Sequence, residues 1–239
     1  MHRLYEMRTK VPARLHKGAL NMRYRYILFD LDGTLFDTGE GILNSFRNTF
    51  KETGVPYEEQ GLLKFIGPPL YESFRTLLGK SEEEAERMKK IYRTFYRETG
   101  VYQCRPVDGA EDCLAALVRG GAKLAVATSK PEIFAHKILQ RFGFEKYFSA
   151  VCGAFPDDSR AEKSEVISAA LDALGAAGER EKSVMVGDRN YDVFGAAKCG
   201  IGCIGIDVCG FAEAGELEGA GALALVRSFG ELLALLEKS

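Results

Sequence analysis

One stretch of the sequence decides the fold: Tyr26-Ile27-Leu28-Phe29-Asp30-Leu31-Asp32-Gly33-Thr34. Four apolar residues followed by Asp, and then by Asp-Gly-Thr, predict a buried strand that ends in a tight turn. Because unpaired buried charge is costly, the two carboxylates need compensation, and a bound cation is the simplest kind. Open α/β sheets bind ligands at the carboxyl ends of their strands, so we expect Asp30 and Asp32 to flank a site there. The alternative for this run alone is an Asp-Gly turn with a solvated neighbour.

The same pattern, an apolar strand that ends in polar residues, occurs twice more. Residues 123–131 end in Thr128-Ser129-Lys130-Pro131. A hydroxyl beside backbone amides and a helix N-terminus can bind a phosphate, although Ser or Thr before a helix is more commonly a cap. Residues 183–187 lead into Asp188, and Asp192 follows on the same face of a predicted helix. Two such carboxylates favour a hard cation, and Mg²⁺ also bridges to phosphate.

A helical segment separates the first strand from the later ones. Predicted helices cover 41–53, 70–78 and 82–98, with charged residues along an exposed face at 82–90, and no strand pattern occurs between 40 and 104. We therefore predict three parts: a basic N-terminal extension (1–22), an α/β core (23–38 and 106–239) and a helical cap (39–105). The turn Ile66-Gly67-Pro68-Pro69 either breaks a cap helix or contacts substrate.

The composition argues against several classes of partner. The chain has 239 residues, 46% of them hydrophobic, which is enough to bury a core of one large domain or of a domain with an insert. A net charge of -2 and a pI near 6.0 give no reason to expect binding to nucleic acid or to a membrane surface. No apolar run reaches the roughly 20 residues of a membrane span. Six cysteines without a Cys-x-x-Cys pair are typical of a reducing cytoplasm.

The stretch around Asp30 resembles the signature of the haloacid dehalogenase superfamily, whose phosphatases carry Asp-x-Asp-x-Thr after the first strand. The resemblance implies that Asp30 is the nucleophile that takes up the phosphoryl group. It implies that Asp32 protonates the leaving group and then activates water, and that Gly33 and Thr34 contact the phosphate. A carboxylate nucleophile divides one difficult displacement into two easier ones, and a second carboxyl can act first as acid and then as base.

The later motifs occur in the order of that superfamily. Thr128 matches its phosphate ligand, with Ser129 and Lys130 as further contacts. Lys163 opens the predicted helix 163–174, where, taken alone, most lysines are solvated. It matches the lysine that bridges nucleophile and phosphate, although Ser164 stands where the family often has Pro. Gly187-Asp188 with Asp192 matches the metal motif. The resemblance implies Mg²⁺ bound by Asp30, the main-chain carbonyl of Asp32 and Asp188, with Asp192 in a supporting position.

The resemblance implies a doubly wound, Rossmann-like, mostly parallel sheet with an inserted α-helical cap. The implied activity is Mg²⁺-dependent hydrolysis of a small phosphomonoester through an aspartyl-phosphate, with 2-phosphoglycolate as the first choice of substrate. Nucleoside monophosphates are the alternative, and a phosphosugar mutase or a non-catalytic binding module ranks lower. Residues 200–205 fit the dinucleotide pattern G-x-G-x-x-G. We reject that interpretation because the pattern here follows a predicted helix and enters a strand, whereas a nucleotide site needs the reverse order.

Overall fold

A parallel sheet of six strands lies at the centre of the computed structural model, which describes residues 22–68, 70–155, 159–160 and 162–237. In these residues the strands are β1 (Tyr26–Phe29), β2 (Phe36–Asp37), β3 (Arg105–Pro106), β4 (Lys123–Pro131), β5 (Ala150–Ala154), β6 (Ser183–Gly187), β7 (Gly202–Ile206) and β8 (Ala224–Val226). The large sheet has the order β5-β4-β1-β6-β7-β8, and every pairing within it is parallel. The predicted fold class is confirmed.

Helices follow most of the strands, as a doubly wound sheet requires. They are α1 (Gly39–Thr53), α2 (Leu70–Glu72), α3 (Glu82–Glu98), α4 (Ala110–Arg119), α5 (Glu132–Phe142), α6 (Lys163–Leu174), α7 (Asn190–Lys198), α8 (Glu216–Ala220) and α9 (Phe229–Glu237). The regular helix predicted for 70–78 is wrong in detail, because α2 has a single turn and continues as a π-helical turn, Ser73–Leu77.

Both faces of the sheet are covered. Alternation along β1 places Ile27 and Phe29 in one apolar cluster and Tyr26 and Leu28 in a second one, and all four side chains are buried. A strand that is buried on both faces reads as a continuous apolar run, and this is why residues 26–29 show no polar alternation. The first cluster continues into the helical segment through Phe46, whose ring contacts neighbouring aromatic rings.

The chain enters and leaves the helical segment at neighbouring positions. The short strands β2 and β3 pair antiparallel, so the chain leaves the sheet and returns to it side by side. Arg105 donates to Asp37 across this pair at 2.9 Å. We propose these two crossings as the boundary between a core of 23–38 with 106–239 and a cap of 39–105. Of the predicted extension 1–22, residues 1–21 lie outside the described residues.

Several local predictions need correction. The sequence predicts Asp108 as the N-cap of α4, but the N-cap is Gly109, with φ +79° and no side-chain hydrogen bond. The sequence also predicts Thr38 as the N-cap of α1; Thr38 has that position but makes no capping hydrogen bond with its side chain. Strand β4 extends to Pro131, so α5 begins at Glu132, after the proposed phosphate residues.

Two broader features agree with the sequence. Gly200 has φ +72° just after α7, and β7 follows it, so the glycines of 200–205 connect a helix to a strand. Among the described residues, no helix combines the length and the apolar character that crossing a membrane requires.

Candidate active site

The strand register brings the polar strand ends together. Phe29 of β1 lies opposite Val126 of β4 on one side and Val186 of β6 on the other. The residues that follow these three positions therefore emerge at one edge of the sheet. Asp30, Thr128 and Asp188, which are far apart in sequence, are placed together by this register.

Lys163 is the cation at the centre of the site. Its Nζ donates to Oδ1 of Asp30 at 2.5 Å and to the carbonyl of Ala127 at 3.0 Å. The same Nζ lies 2.8 Å from Oδ1 of Asp192. The Lys163 side chain is only 8% exposed, so it lies in a region of low dielectric, where its charge interacts strongly with the neighbouring carboxylates. A lysine at the first position of α6 thus contacts residues toward the carboxyl ends of β1 and β4 and in the first turn of α7.

Asp188 completes a cluster of three buried carboxylates. Its Oδ1 accepts a hydrogen bond from Oγ1 of Thr34 at 3.3 Å. Its Oδ2 is buried and accepts no hydrogen bond from any described residue. Carboxylate oxygens of Asp30, Asp188 and Asp192 lie within 4.8 Å of one another. The hydroxyl of Thr34, expected to contact phosphate, is thus directed at a carboxylate of this cluster.

The electrostatics of the cluster are dominated by burial. Burial raises the pKa of Asp30 to about 6, although the ammonium of Lys163 acts in the opposite direction. Burial, followed by the charges of Asp30 and Asp192, raises the pKa of Asp188 well above its ordinary value. Burial lowers the pKa of Lys163, but the carboxylates of Asp192 and Asp30 raise it more, so the net shift is upward. One ammonium does not balance three carboxylates, and the excess negative charge favours a bound cation.

A hard divalent cation fits this donor set. The orphaned Oδ2 of Asp188 lacks a partner that a metal would supply, and the oxygens available are the ligands that Mg²⁺ prefers. The family resemblance implies Asp30, the carbonyl of Asp32 and Asp188 as ligands, with Asp192 in support. Oδ2 of Asp192 accepts a hydrogen bond from the main-chain N–H of Arg189 at 3.0 Å. This bond fixes the Asp192 carboxylate at the start of α7.

Asp32 lies beside the cluster and has its own cation. Its Oδ2 is 2.8 Å from Nζ of Lys130, and this ammonium also lies 4.6 Å from the ring centroid of Tyr96. Lys130 was expected to contact phosphate, but the structure places it between the Asp32 carboxylate and an aromatic ring of α3. The other oxygen of Asp32, Oδ1, is buried and accepts no hydrogen bond from the described residues. That oxygen is available to a substrate.

The hydroxyl residues at the end of β4 line the same cleft. Thr128 is buried, and its Oγ1 accepts a hydrogen bond from the main-chain N–H of Lys130 at 3.2 Å. Ser129 is half-buried beside it. The β4 and β5 register shifts between Ala127 and Pro131, so this segment turns away from the regular ladder. No described residue accepts a hydrogen bond from the Thr128 hydroxyl, so this group can donate to a phosphate oxygen.

Gly33 allows the first turn to approach the metal motif. Its φ is +80°, and a Cβ at this position would lie 2.1 Å from Oδ2 of Asp188. We expect Gly33→Ala to lower the free energy of unfolding by more than about 2 kcal/mol and activity by at least about 100-fold, because Asp188 must move. Gly175→Ala is the matched control, since Gly175 has φ +69° and open space around it. Urea denaturation of both variants checks this, and equal losses would contradict it.

The site opens into a cleft of about 510 Å³ between the sheet edge and the cap. The sequence does not indicate the α3 side chains that line it. Tyr92 and Tyr96 stack on α3 with ring centroids 5.8 Å apart, and their i, i+4 spacing is the signal that could have indicated them. Lys89, expected on an exposed face, is buried; it pairs with Glu86 at 2.7 Å and lines the cleft. The turn at Gly67 and Pro68 also lines it, in agreement with a substrate-contacting loop.

A family model described as haloacid dehalogenase-like hydrolase matches residues 27–206. The chain belongs to this family. The matched range runs from β1 to β7 and includes every site residue described above. The resemblance seen in the sequence is confirmed, and the chain is a haloacid dehalogenase-like hydrolase.

Relatives with known names are similar over most of the chain. A 5'-nucleotidase of Pseudomonas aeruginosa is 42% identical over 197 residues, which are 82% of this chain and 88% of that protein. The tyrosine-protein kinase PtkA of Mycobacterium tuberculosis is 45% identical over 177 residues, 73% of this chain and 59% of the relative. A solved structure described as a predicted phosphatase from Clostridium acetobutylicum has a TM-score of 0.86 and 37% identity, and the alignment covers 90% of this chain and 99% of that one.

Proposed function

We propose that this chain hydrolyses phosphomonoesters in a Mg²⁺-dependent reaction that passes through an aspartyl-phosphate on Asp30. The observation that carries the proposal is the buried cluster of Asp30, Asp188 and Asp192 around Lys163, which opens into the cleft. A cluster with excess negative charge supports metal binding. A carboxylate that lines the cleft and is held 2.5 Å from an ammonium supports the role of nucleophile.

In the first step, an oxygen of Asp30 attacks the phosphorus and the bond from phosphorus to the ester oxygen breaks. Asp32 acts as the acid and delivers a proton to the departing oxygen from Oδ1, the oxygen that has no hydrogen-bond partner among the described residues. Lys130 holds the opposite oxygen of that carboxyl at 2.8 Å and so fixes its orientation. Lys163 and the Thr128 hydroxyl face the equatorial oxygens and stabilise their charge.

In the second step, Asp32, now a carboxylate, takes a proton from water. The hydroxide oxygen attacks phosphorus, and the bond between phosphorus and the Asp30 oxygen breaks. Phosphate is released, and the carboxylate of Asp30 is restored. Asp30, the carbonyl of Asp32 and Asp188 are the residues that would hold Mg²⁺. When bound, Mg²⁺ supplies Lewis-acid neutralisation of the phosphoryl oxygens and reduces repulsion between them and Asp30.

The cleft favours a substrate with a larger organic group than the first choice made from the sequence. A molecule as small as 2-phosphoglycolate would leave most of the roughly 510 Å³ filled with water. Aromatic rings of Phe46, Tyr71, Tyr92 and Tyr96 line the cap side, and the Glu86–Lys89 pair presents both an acceptor and a donor there. A flat heterocycle with donors and acceptors matches this wall, so we place nucleoside monophosphates first and 2-phosphoglycolate second.

Phosphate release from a substrate panel tests the proposal. The panel contains p-nitrophenyl phosphate, 2-phosphoglycolate, the 5'-nucleotides and sugar phosphates, each with Mg²⁺ and with EDTA. We expect Mg²⁺-dependent turnover, with the largest kcat/KM on a nucleotide. Turnover that is unchanged by EDTA would contradict the metal assignment. Conversion of a sugar phosphate to its isomer without release of phosphate would indicate a mutase.

The Asp32→Asn variant separates the two chemical steps. p-Nitrophenolate leaves without protonation, so Asp30 should still be phosphorylated by p-nitrophenyl phosphate, whereas removal of the base should slow hydrolysis by about 100-fold or more. We expect one equivalent of p-nitrophenolate in a burst, followed by slow turnover. Intact-protein mass spectrometry should show the added phosphoryl group. A steady rate without a burst and without a mass change would count against Asp32 as the base.

A further inference from the structure

Arg189 joins the core to the cap loop. Arg189 lies directly after Asp188, and its side chain is 11% exposed. Its Nε donates to Oε1 of Glu216 at 2.9 Å. Its Nη1 donates to the main-chain carbonyl of Ile66 in the cap. One guanidinium therefore contacts α8 of the core and the cap turn Ile66-Gly67-Pro68, which we name the cap loop.

The core end of this connection is rigidly held. Glu216 is 9% exposed at its side chain, and its Oε1 also accepts a hydrogen bond from the main-chain N–H of Asn190 at 2.9 Å. Its Oε2 accepts another from the N–H of Glu213 at 2.9 Å. A carboxylate with three donors around it is fixed, and so it fixes the guanidinium that pairs with it.

The cap end requires a glycine. Gly67 has φ +108°, and a Cβ there would lie 2.9 Å from Nη1 and 3.0 Å from Cγ of Arg189. The loop lies directly against the guanidinium, and a side chain at this position would push the two apart. Because Gly67 and Arg189 both line the cleft, the contact lies at the boundary of the substrate space.

The same residue also contacts the carboxylate cluster through its main chain. The N–H of Arg189 donates to Oδ2 of Asp192 at 3.0 Å, and Oδ1 of Asp192 is 2.8 Å from Nζ of Lys163. The loop that carries Asp188 and orients Asp192 is therefore the loop that holds the cap. We propose that Arg189 is a positioning residue that fastens the cap loop over the cleft and so maintains the closed arrangement in which substrate binds.

The kinetic consequence rests on the proposed function. Arg189→Ala removes the donor to Ile66, and a hydrogen bond from a charged group contributes roughly a tenfold change in an equilibrium. The apparent affinity falls with the closed fraction, so we expect KM for the best substrate of the panel to rise several-fold, with about tenfold as the upper limit. We expect kcat to change by less than about threefold. Arg189→Lys should be intermediate, because one ammonium cannot span Glu216 and the Ile66 carbonyl as the guanidinium does.

Arg180→Ala is the matched control. Arg180 is also an arginine that donates to a main-chain carbonyl, that of Cys199, but both residues lie in the core and neither lines the cleft. We expect Arg180→Ala to lower the thermal midpoint while KM stays at the wild-type value. Equal increases in KM for the two variants would show a general loss of structure and would overturn the proposal.

Hydrogen exchange tests the connection without any substrate. In Arg189→Ala we expect faster exchange of the amides in the segment 62–68, with β6 unchanged, and no change in that segment in Arg180→Ala. Gly67→Ala should reproduce the faster exchange. If the amides of the segment 62–68 exchanged at the same rate in Arg189→Ala as in the wild type, the proposal would be overturned. If the exchange result appears but no phosphomonoester is hydrolysed, the positioning role stands and the proposed function fails, so the two are tested separately.

Discussion

Asp30→Asn is expected to abolish turnover, with a loss on the order of 10⁴-fold or more in kcat. An amide oxygen is a poor nucleophile, and the product of its attack is not an acyl-phosphate that water readily hydrolyses. Phosphate release from the best substrate at saturating Mg²⁺ measures the effect. Mass spectrometry after incubation should show no phosphoryl group on the variant. A residual rate above about one hundredth of the wild type would rule out Asp30 as the nucleophile.

The same substitution should not destabilise the metal-free protein at neutral pH. Burial raises the folded pKa of Asp30 from 3.8 to about 6, so the folded state binds this proton more tightly than the unfolded chain does. The wild type therefore gains stability from Asp30 as the pH falls from about 6 to about 4, and it lacks that contribution above pH 6. Asp30→Asn should not show this gain. Urea denaturation in EDTA near pH 8 and pH 5 tests the sign, and a large loss of stability near pH 8 would contradict it.

Lys163→Met is expected to damage both stability and activity. The substitution leaves three buried carboxylates without their ammonium, and removal of one partner from a buried ion pair costs about 3–5 kcal/mol. We expect kcat to fall by about 10³-fold, since the charge on the equatorial phosphoryl oxygens loses its cation. Urea denaturation and phosphate release, both with Mg²⁺ present, measure the two effects.

Lys198→Met provides the control for that experiment. Lys198 also forms an ion pair, with Glu162 at 3.4 Å, but both side chains are about two-thirds exposed. Exposed pairs contribute at most about 1 kcal/mol, so we expect little change in stability and none in kcat. If the two lysine variants lost equal stability, the buried cluster would not have the electrostatic role assigned to it.

The elements of the core were predictable because their signals are local. A few neighbouring residues encode each of these features: the apolar run 26–29, the helix at 163–174 and the carboxylates that follow the strands. The structure has a strand at 26–29 and a helix at 163–174. The failures are also local: Asp108 does not cap α4, because the φ of +79° at Gly109 begins that helix in a way that composition does not reveal.

The partners of the charged side chains could not be predicted. Lys130 follows Thr128 in sequence, and this proximity suggested a shared phosphate, but the ammonium pairs with Asp32 and lies over Tyr96. The sequence around Asp188 assigns no partner to Arg189, yet this side chain contacts Glu216 and the cap loop. These contacts join segments more than 25 positions apart, and one-dimensional spacing carries no information about them.

By itself, the sequence determined the order of strands and helices, the family and the set of acidic and basic residues at the strand ends, because these depend on short-range periodicity and on motif spacing. The tertiary structure decided which ammonium faces which carboxylate, and it decided how large the cleft is and which cap side chains line it. The reason is physical: the parallel register of β1 with β4 and β6 sets the position of each strand end. Contacts between cap and core, such as the ring of Tyr96 against Phe134 of α5 and Arg189 at the Ile66 carbonyl, set the position of the cap above them.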